Sequence, residues 1–247
     1  MGAQIRLRSN SFSLLDAALT MLPPASRVVR GGGTVTYSLW RDDAGFRLVR
    51  NGARIGMHAS EIELLDHFRS RLHETVALHS PHVFVHAGVV AIGGRLVAIP
   101  GVSCAGKSTL VAELVRRGAT YYSDEYAVLD ERGLVHPYPK PLSLRQPSGP
   151  PRLTPVGDLG GRVGRRSLPL KLVAMVRYRA GKQWSVRAMS PAETLFALLE
   201  NTLVARSRPE AVLPVLARAA EGASGLRGVR GEAGEAIAEI AQFMNQN

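Results

Sequence analysis

Cysteine is almost missing from this chain. Cys104 is the single one in 247 residues, so no internal disulfide can form, and the composition agrees with a reducing compartment. Long apolar runs are missing too. None approaches the roughly 20 residues that cross a bilayer, and residues 1–10 mix Arg6 and Arg8 with polar side chains instead of leading into a signal-like apolar segment. The expectation is a cytoplasmic protein with no membrane partner. Zinc-finger spacing, aromatic residues interleaved with basic ones, internal repeats and low-complexity tracts are likewise absent, which removes the usual signatures of nucleic-acid modules and solenoids.

What is present is a globular composition, 45% hydrophobic and 21% charged, enough for a sizeable core in one principal domain with a small appendage. The formal net charge of +11 favours anionic partners such as nucleotides. Because the basic residues are scattered, with short clusters only at 162–166 and 206–208, the charge argues against specific nucleic-acid binding.

Periodicity divides the chain near residue 80. Residues 12–22 carry Leu14, Leu15, Ala18 and Leu22 at helical spacing and stop at Pro23-Pro24. Strands at 34–41 and 46–50 follow, with Asn51-Gly52 supplying a tight-turn pair for an antiparallel meander. Residues 60–78 predict an amphipathic helix whose apolar face is Ile62, Leu64, Leu65, Phe68, Leu72 and Val76. Beyond it, the runs 83–85, 88–92 and 95–100 predict buried strands, 107–117 a helix ended by Gly118, and 120–122 a short strand. A hairpin at 127–136, a strand at 172–178 and helices at 191–205, 209–220 and 232–244 complete the pattern. Between them, seven prolines and five glycines in 137–168 predict a stretch that is irregular through most of its length. The expected fold is α/β: a small N-terminal α+β region, meander plus helix, over 1–80, and a P-loop domain over 81–247.

Gly101-Val102-Ser103-Cys104-Ala105-Gly106-Lys107-Ser108 satisfies G-x-x-x-x-G-K-[ST] at every defined position, between a buried strand and an amphipathic helix. In such a loop the glycines let backbone N–H groups wrap a phosphate, the helix N-terminus adds its positive end, the lysine neutralises the outer phosphates, and the hydroxyl ligates Mg²⁺. The nucleotide contacts are therefore assigned to Gly101, Ser103, Cys104, Ala105, Gly106, Lys107, Ser108 and Thr109, with ATP and Mg²⁺ as cofactors. Ser123-Asp124-Glu125 follows one helix and one short strand later. If that strand runs parallel to the one feeding the P-loop, the two acids emerge beside Lys107 and Ser108. One carboxylate can then hold Mg²⁺ while the other takes a proton from a hydroxyl. Lys140 and Arg145 can return a cation to the phosphates or stand in solvent. Arg162, Arg165 and Arg166 can close over nucleotide, recognise an acidic acceptor or simply be solvated.

The set His86-Ala87-Gly88-Val89-Val90, Ile99-Pro100-Gly101 through Thr109, Arg117-Gly118 and Ser123-Asp124-Glu125 resembles the catalytic core of HPr kinases and related bacterial kinases over about residues 83–145. The resemblance implies a P-loop core of the HPr kinase/PEP carboxykinase-like type. It further implies transfer of the γ-phosphoryl group to a hydroxyl, with His86 beside Asp124, Asp124 as general base, and Glu125, Asp124 and Ser108 around the metal. Glu125 stands where the enzymes that act on HPr have a second aspartate, and their glycine-rich HPr-engaging signature has no counterpart. The implied acceptor is thus the serine or other hydroxyl of a peptide, protein or small molecule, as in lasso-peptide tailoring kinases. HPr kinases are hexamers, and a different N-terminal region leaves a homo-oligomer open here. The other class of function, a nucleotide-dependent switch, lacks its marks: there is no N-K-x-D, no extended Walker-B strand and no water-positioning glutamine.

A thiol inside a phosphate loop next to a helix N-terminus is drawn toward the thiolate. Alkylation of Cys104 is expected to block nucleotide binding, and saturating MgATP to slow the alkylation. Equal labelling rates with and without nucleotide, followed by mass spectrometry, would remove Cys104 from the nucleotide contacts.

Overall fold

The computed structural model describes residues 3–24, 26–30, 32–101, 105–146, 148 and 152–246, and its first element is a strand that the periodicity reading omits. Ile5-Arg6-Leu7-Arg8-Ser9 alternates apolar and polar residues and forms β1 (Ile5–Ser9). After α1 (Phe12–Leu19), capped by Ser11, the chain enters β2 (Val35–Asp42), which runs parallel to β1. The meander continues antiparallel through β3 (Gly45–Arg50) and β4 (Ala53–His58). Asn51 (φ 50°) and Gly52 (φ 85°) make the tight left-handed turn between them, as the Asn-Gly pair predicts. α2 (Glu61–His79) begins at Ser60, whose hydroxyl accepts from the Glu63 amide at 3.3 Å.

These elements form the unit Met1–Pro81. Its core joins Leu14 and Ala18 of α1, Val35, Tyr37, Leu39 and Leu48 of the sheet, and Leu64, Phe68 and Leu72 of α2. Tyr37 meets Phe68 edge to face at 5.5 Å, and its hydroxyl reaches Thr75 Oγ1 at 2.7 Å, so the buried phenol is satisfied. Ile62, expected on the inner face, is instead 67% exposed, because Leu64, Phe68 and Leu72 at i, i+4 and i+8 already define the buried stripe.

The unit His82–Asn247 is a mixed α/β structure. β5 (Val83–Ile92) is one ten-residue strand, so the two short runs expected there, 83–85 and 88–92, are continuous through His86 and Ala87. Gly93-Gly94 turns it into β6 (Arg95–Pro100), its antiparallel partner. Then come α3 (Lys107–Arg116), β7 (Thr120–Ser123), β8 (Tyr126–Leu129) and β9 (Leu134–His136).

The proline-rich stretch is irregular through most of its described residues, as expected, with short ordered pieces inside it. It holds a hairpin of β10 (Leu142–Leu144) and β11 (Arg152–Thr154) and a 3₁₀ turn at Val156–Leu159. β12 (Leu168–Tyr178) starts four residues before the predicted strand. β13 (Ser185–Met189), α4 (Pro191–Leu199), α5 (Pro209–Glu221), β14 (Ser224–Arg230) and α6 (Ala233–Gln246) follow. α4 ends six residues earlier than predicted. There the backbone of the next turn is taken up by β5: the His86 amide donates to Asn201 O at 2.7 Å and the Leu203 amide to Phe84 O at 3.1 Å.

The large sheet has the order β13-β14-β12-β6-β5-β8-β9, with β7 also on β5 and the start of β12 also on β9. β12 is parallel to both β6 and β14. α3 and α6 join Leu172, Ala174 and Val176 in the main core, while α4 and α5 pack on β12 and on each other. No helix among the described residues is long and apolar enough to cross a membrane.

In the first unit Phe68 is fully buried, and removing its ring leaves a cavity under Tyr37. We expect Phe68→Ala to cost about 3–5 kcal/mol, measured by urea unfolding followed by circular dichroism. A loss below about 1 kcal/mol would mean that this helix–sheet contact does not hold the unit together.

Candidate functional site

Directions of strands decide what meets at the site. β7 and β6 are both antiparallel to β5, so they run the same way, and β12 and β14 run with them. Four strand ends therefore point to one edge of the sheet: Pro100 of β6 leads into Gly101, Ser123 of β7 into Asp124, and β12 and β14 end at Tyr178 and Arg230. This is the edge where open α/β sheets bind ligands. His86 belongs to the same edge, since its carbonyl accepts from the Gly101 amide at 3.3 Å and the Ala87 amide donates to Glu125 O at 3.1 Å. Its ring lies 5.8 Å from that of Tyr126.

Of the phosphate-loop residues, Ser103 and Cys104, with Val102, lie outside the described residues. The second half of the loop is fixed by contacts that the sequence does not announce. Gly106 caps α3 with φ 83°, and a side chain there would meet Arg230 Nη2 at 2.6 Å, so both conformation and space require glycine. Arg230, buried at 2% exposure, donates from Nη2 to Gly106 O at 2.8 Å and from Nη1 to Gly231 O at 2.9 Å. Its guanidinium sits 5.2 Å from the centre of the Tyr178 ring. The Tyr178 amide donates to Ala105 O at 3.4 Å, and its hydroxyl donates to Glu232 at 3.1 Å. Burial pulls the Arg230 pKa below the ordinary guanidinium range, opposed by the charge of Glu232. Lys107, also buried, donates from Nζ to Gly101 O at 2.6 Å. Thr109 is exposed on the first turn of α3.

The acids stand at the end of β7. Asp124 Oδ1 accepts from the Tyr121 hydroxyl at 3.2 Å, Oδ2 accepts from the Ser143 amide at 3.4 Å, and the Ser108 hydroxyl also bonds to this carboxylate. Burial, with the charge of Glu125 second, raises the pKa of Asp124; the three hydrogen bonds work against that rise. Glu125 pairs with Lys140 at 3.1 Å, both largely screened from water. Lys140 is thus engaged at the acids and not solvated. Near Glu125, Phe84, Tyr126 and Tyr138 meet edge to face at 5.8–5.9 Å, and the buried Tyr138 hydroxyl has no hydrogen-bond partner among the described residues.

The helix N-terminus and Lys107 are groups of the type that can hold a phosphate, and Arg230 fixes Gly106 beside them. Ser108 and Asp124 offer adjacent oxygens of the type a hard divalent cation takes. No cluster of three His, Cys, Asp or Glu stands ready for a metal among the described residues, and a Mg²⁺ held by one or two protein oxygens plus phosphates needs none. A cleft of about 90 Å³ opens beside this edge, bordered by Gly101, Ala105, Arg177 and Asn201. The larger cleft, about 300 Å³, lies at the other end of α3 against α6, away from these groups.

The sequence reading brings out Lys107, Ser108, Asp124 and Glu125 but misses Tyr121, Ser143, Tyr178 and Arg230. No local signal marks Arg230, because the segment Ser224–Arg230 that carries it does not read as a strand. Neither the comparison with protein-family models nor the search of curated proteins finds a match to this chain.

A carboxylate with a raised pKa destabilises the fold while it is charged. Asp124→Asn is therefore expected to raise the melting temperature by a few degrees at pH 8. The gain should be complete above the raised pKa of Asp124 and vanish as pH falls to the ordinary aspartate range near 4. Melting curves of both proteins from pH 4 to 8 measure it, and a loss of stability at pH 8 would contradict the burial account.

Proposed function

We propose that the chain is an ATP-dependent kinase with a P-loop core of HPr kinase-like type, cytoplasmic, transferring the γ-phosphoryl group to a hydroxyl of a peptide, protein or small molecule. The observation that carries this reading is the convergence of α3's N-terminus, Lys107 and Ser108 with Asp124 and Glu125 at one sheet edge, Ser108 being bonded to Asp124 itself. A switch protein needs a carboxylate only for the metal. A second acid beside it, in a partly buried setting that raises the first one's pKa, suits proton abstraction.

In the proposed reaction the α3 amides and Lys107 hold the outer phosphates, and Arg230 keeps Gly106 fixed while they do so. Mg²⁺, held through Ser108 with Asp124 or Glu125, would neutralise charge on the phosphate oxygens. Asp124 accepts the proton of the acceptor hydroxyl as the new oxygen–phosphorus bond forms and the γ-phosphoryl group leaves ADP. Its raised pKa brings it closer to the working pH of a general base. His86, whose backbone sits at the same sheet edge, would stand near Asp124, as the resemblance implies.

The test is MgATP binding by calorimetry together with single-turnover transfer from γ-labelled ATP to an array of serine peptides. Lys107→Met keeps the buried stem but removes the cation, and should nearly abolish transfer in a folded protein. Asp124→Asn should hold MgATP affinity within about tenfold while transfer falls about 10²–10⁴-fold. Undiminished transfer in either variant overturns the assigned roles. Nucleotide hydrolysis with no labelled acceptor would point to a switch instead.

A further inference from the structure

Residues 137–168 hold six basic side chains against Asp158 alone, and the last part of this stretch is pressed along β7. The Tyr121 amide donates to Arg162 O at 2.8 Å, the Gly164 amide donates to Tyr121 O at 2.8 Å, and the Tyr122 hydroxyl donates to Arg166 O at 2.9 Å. The bridge between Tyr121 and Val163 is parallel, so the segment runs with β7 toward Asp124. Two glycines make the close approach possible. A side chain at Gly161 would lie 2.2 Å from Val115, and one at Gly164 would lie 2.3 Å from the Tyr122 ring. The main chain is therefore turned inward and held, while the side chains of Arg162, Arg165 and Arg166 stand exposed. None of the three has an ion-pair partner among the described residues.

Three unpaired guanidinium groups on a backbone fixed beside the reacting edge are not what a solvated loop needs, since a solvated loop does not require its main chain bonded to the strand that carries the base. We propose that Arg162, Arg165 and Arg166 form a docking strip for an acidic polypeptide segment, which brings a neighbouring serine or other hydroxyl to Asp124. The inference rests on the kinase reading for the fate of that hydroxyl. Guanidinium forks pair bidentately with Asp and Glu carboxylates. A separation of three residues along an extended strand, about 10 Å from Tyr121 to Asp124, puts the strip within reach of a residue a few positions from the acceptor. Arg162 and Arg166 contribute their backbone carbonyls to the fold, and none of the three side chains joins the contacts above, so side-chain replacement leaves the segment's anchoring in place.

The test uses the full chain without nucleotide and a fluorescent peptide with one serine flanked by Asp and Glu, beside its Asn/Gln counterpart and a single-stranded oligonucleotide. Anisotropy should show binding of the acidic peptide, weakening as salt rises from 50 to 300 mM, and little binding of the neutral one. The triple variant Arg162→Glu, Arg165→Glu, Arg166→Glu should weaken peptide binding by at least about tenfold, with MgATP affinity and melting temperature unchanged. The milder triple replacement by Gln should give an intermediate loss. Equal binding of acidic and neutral peptides, or an unchanged affinity in both variants, overturns the proposal. So does a parallel loss of MgATP affinity, which would assign the arginines to nucleotide, or a tighter, arginine-dependent grip on the oligonucleotide. Because the peptide measurement needs no ATP, a chain that binds the acidic peptide but neither binds ATP nor transfers phosphate would sink the kinase reading and leave the docking strip standing.

Discussion

β6 hydrogen-bonds to β5 on one side and to β12 on the other, and this double pairing fixes the place where the chain must leave the sheet at Gly101. A buried strand with partners on both edges cannot slip without breaking its backbone hydrogen bonds to both neighbours and repacking Leu96, Val97, Ala98 and Ile99, which are buried on both faces. The helix that follows begins at an equally fixed place, with its unpaired amides directed at the sheet edge. Every group assigned to phosphate depends on that register.

The same edge gathers charge that the interior would otherwise reject. Lys107 and Arg230 are buried cations held mainly by carbonyl oxygens, and Asp124 is a partly buried carboxylate held by hydroxyls and an amide. Keeping such groups at one place is unfavourable for folding and becomes favourable when a charged ligand completes the set. Glu125 and Lys140 already satisfy each other, so the second acid is oriented before any ligand arrives. The acid that carries the raised pKa is the one bonded to Ser108 of the phosphate loop.

Much of this was legible in the residues. The Gly106 start of α3, the helix after it, the acidic pair and the Asn51-Gly52 turn are local patterns, in which the conformation follows from a few neighbouring side chains. The expected direction of the strand before Asp124 holds as well, although β5 separates it from β6. Proline and glycine density correctly marked a mostly irregular stretch but could not give the tertiary partners of its short ordered pieces: β10 and β11 pair with each other, and the Ser143 amide of β10 donates to Asp124.

Sequence by itself determined where α3 starts, since Gly106 tolerates φ 83° there and Lys107 and Ser108 follow it covalently. Tertiary structure alone decided what supports that start. β14, Ser-Gly-Leu-Arg-Gly-Val-Arg, has too many glycines and charges to read as a strand. Its glycines are there because a side chain at Gly225 would strike Thr194 at 2.1 Å and one at Gly228 would strike Ser185 O at 2.0 Å. That crowding comes from α4 and β13, elements distant in the chain, and it places Arg230 against Gly106 across 124 residues. No local propensity encodes a contact of that separation, because it exists only once the sheet has closed around it.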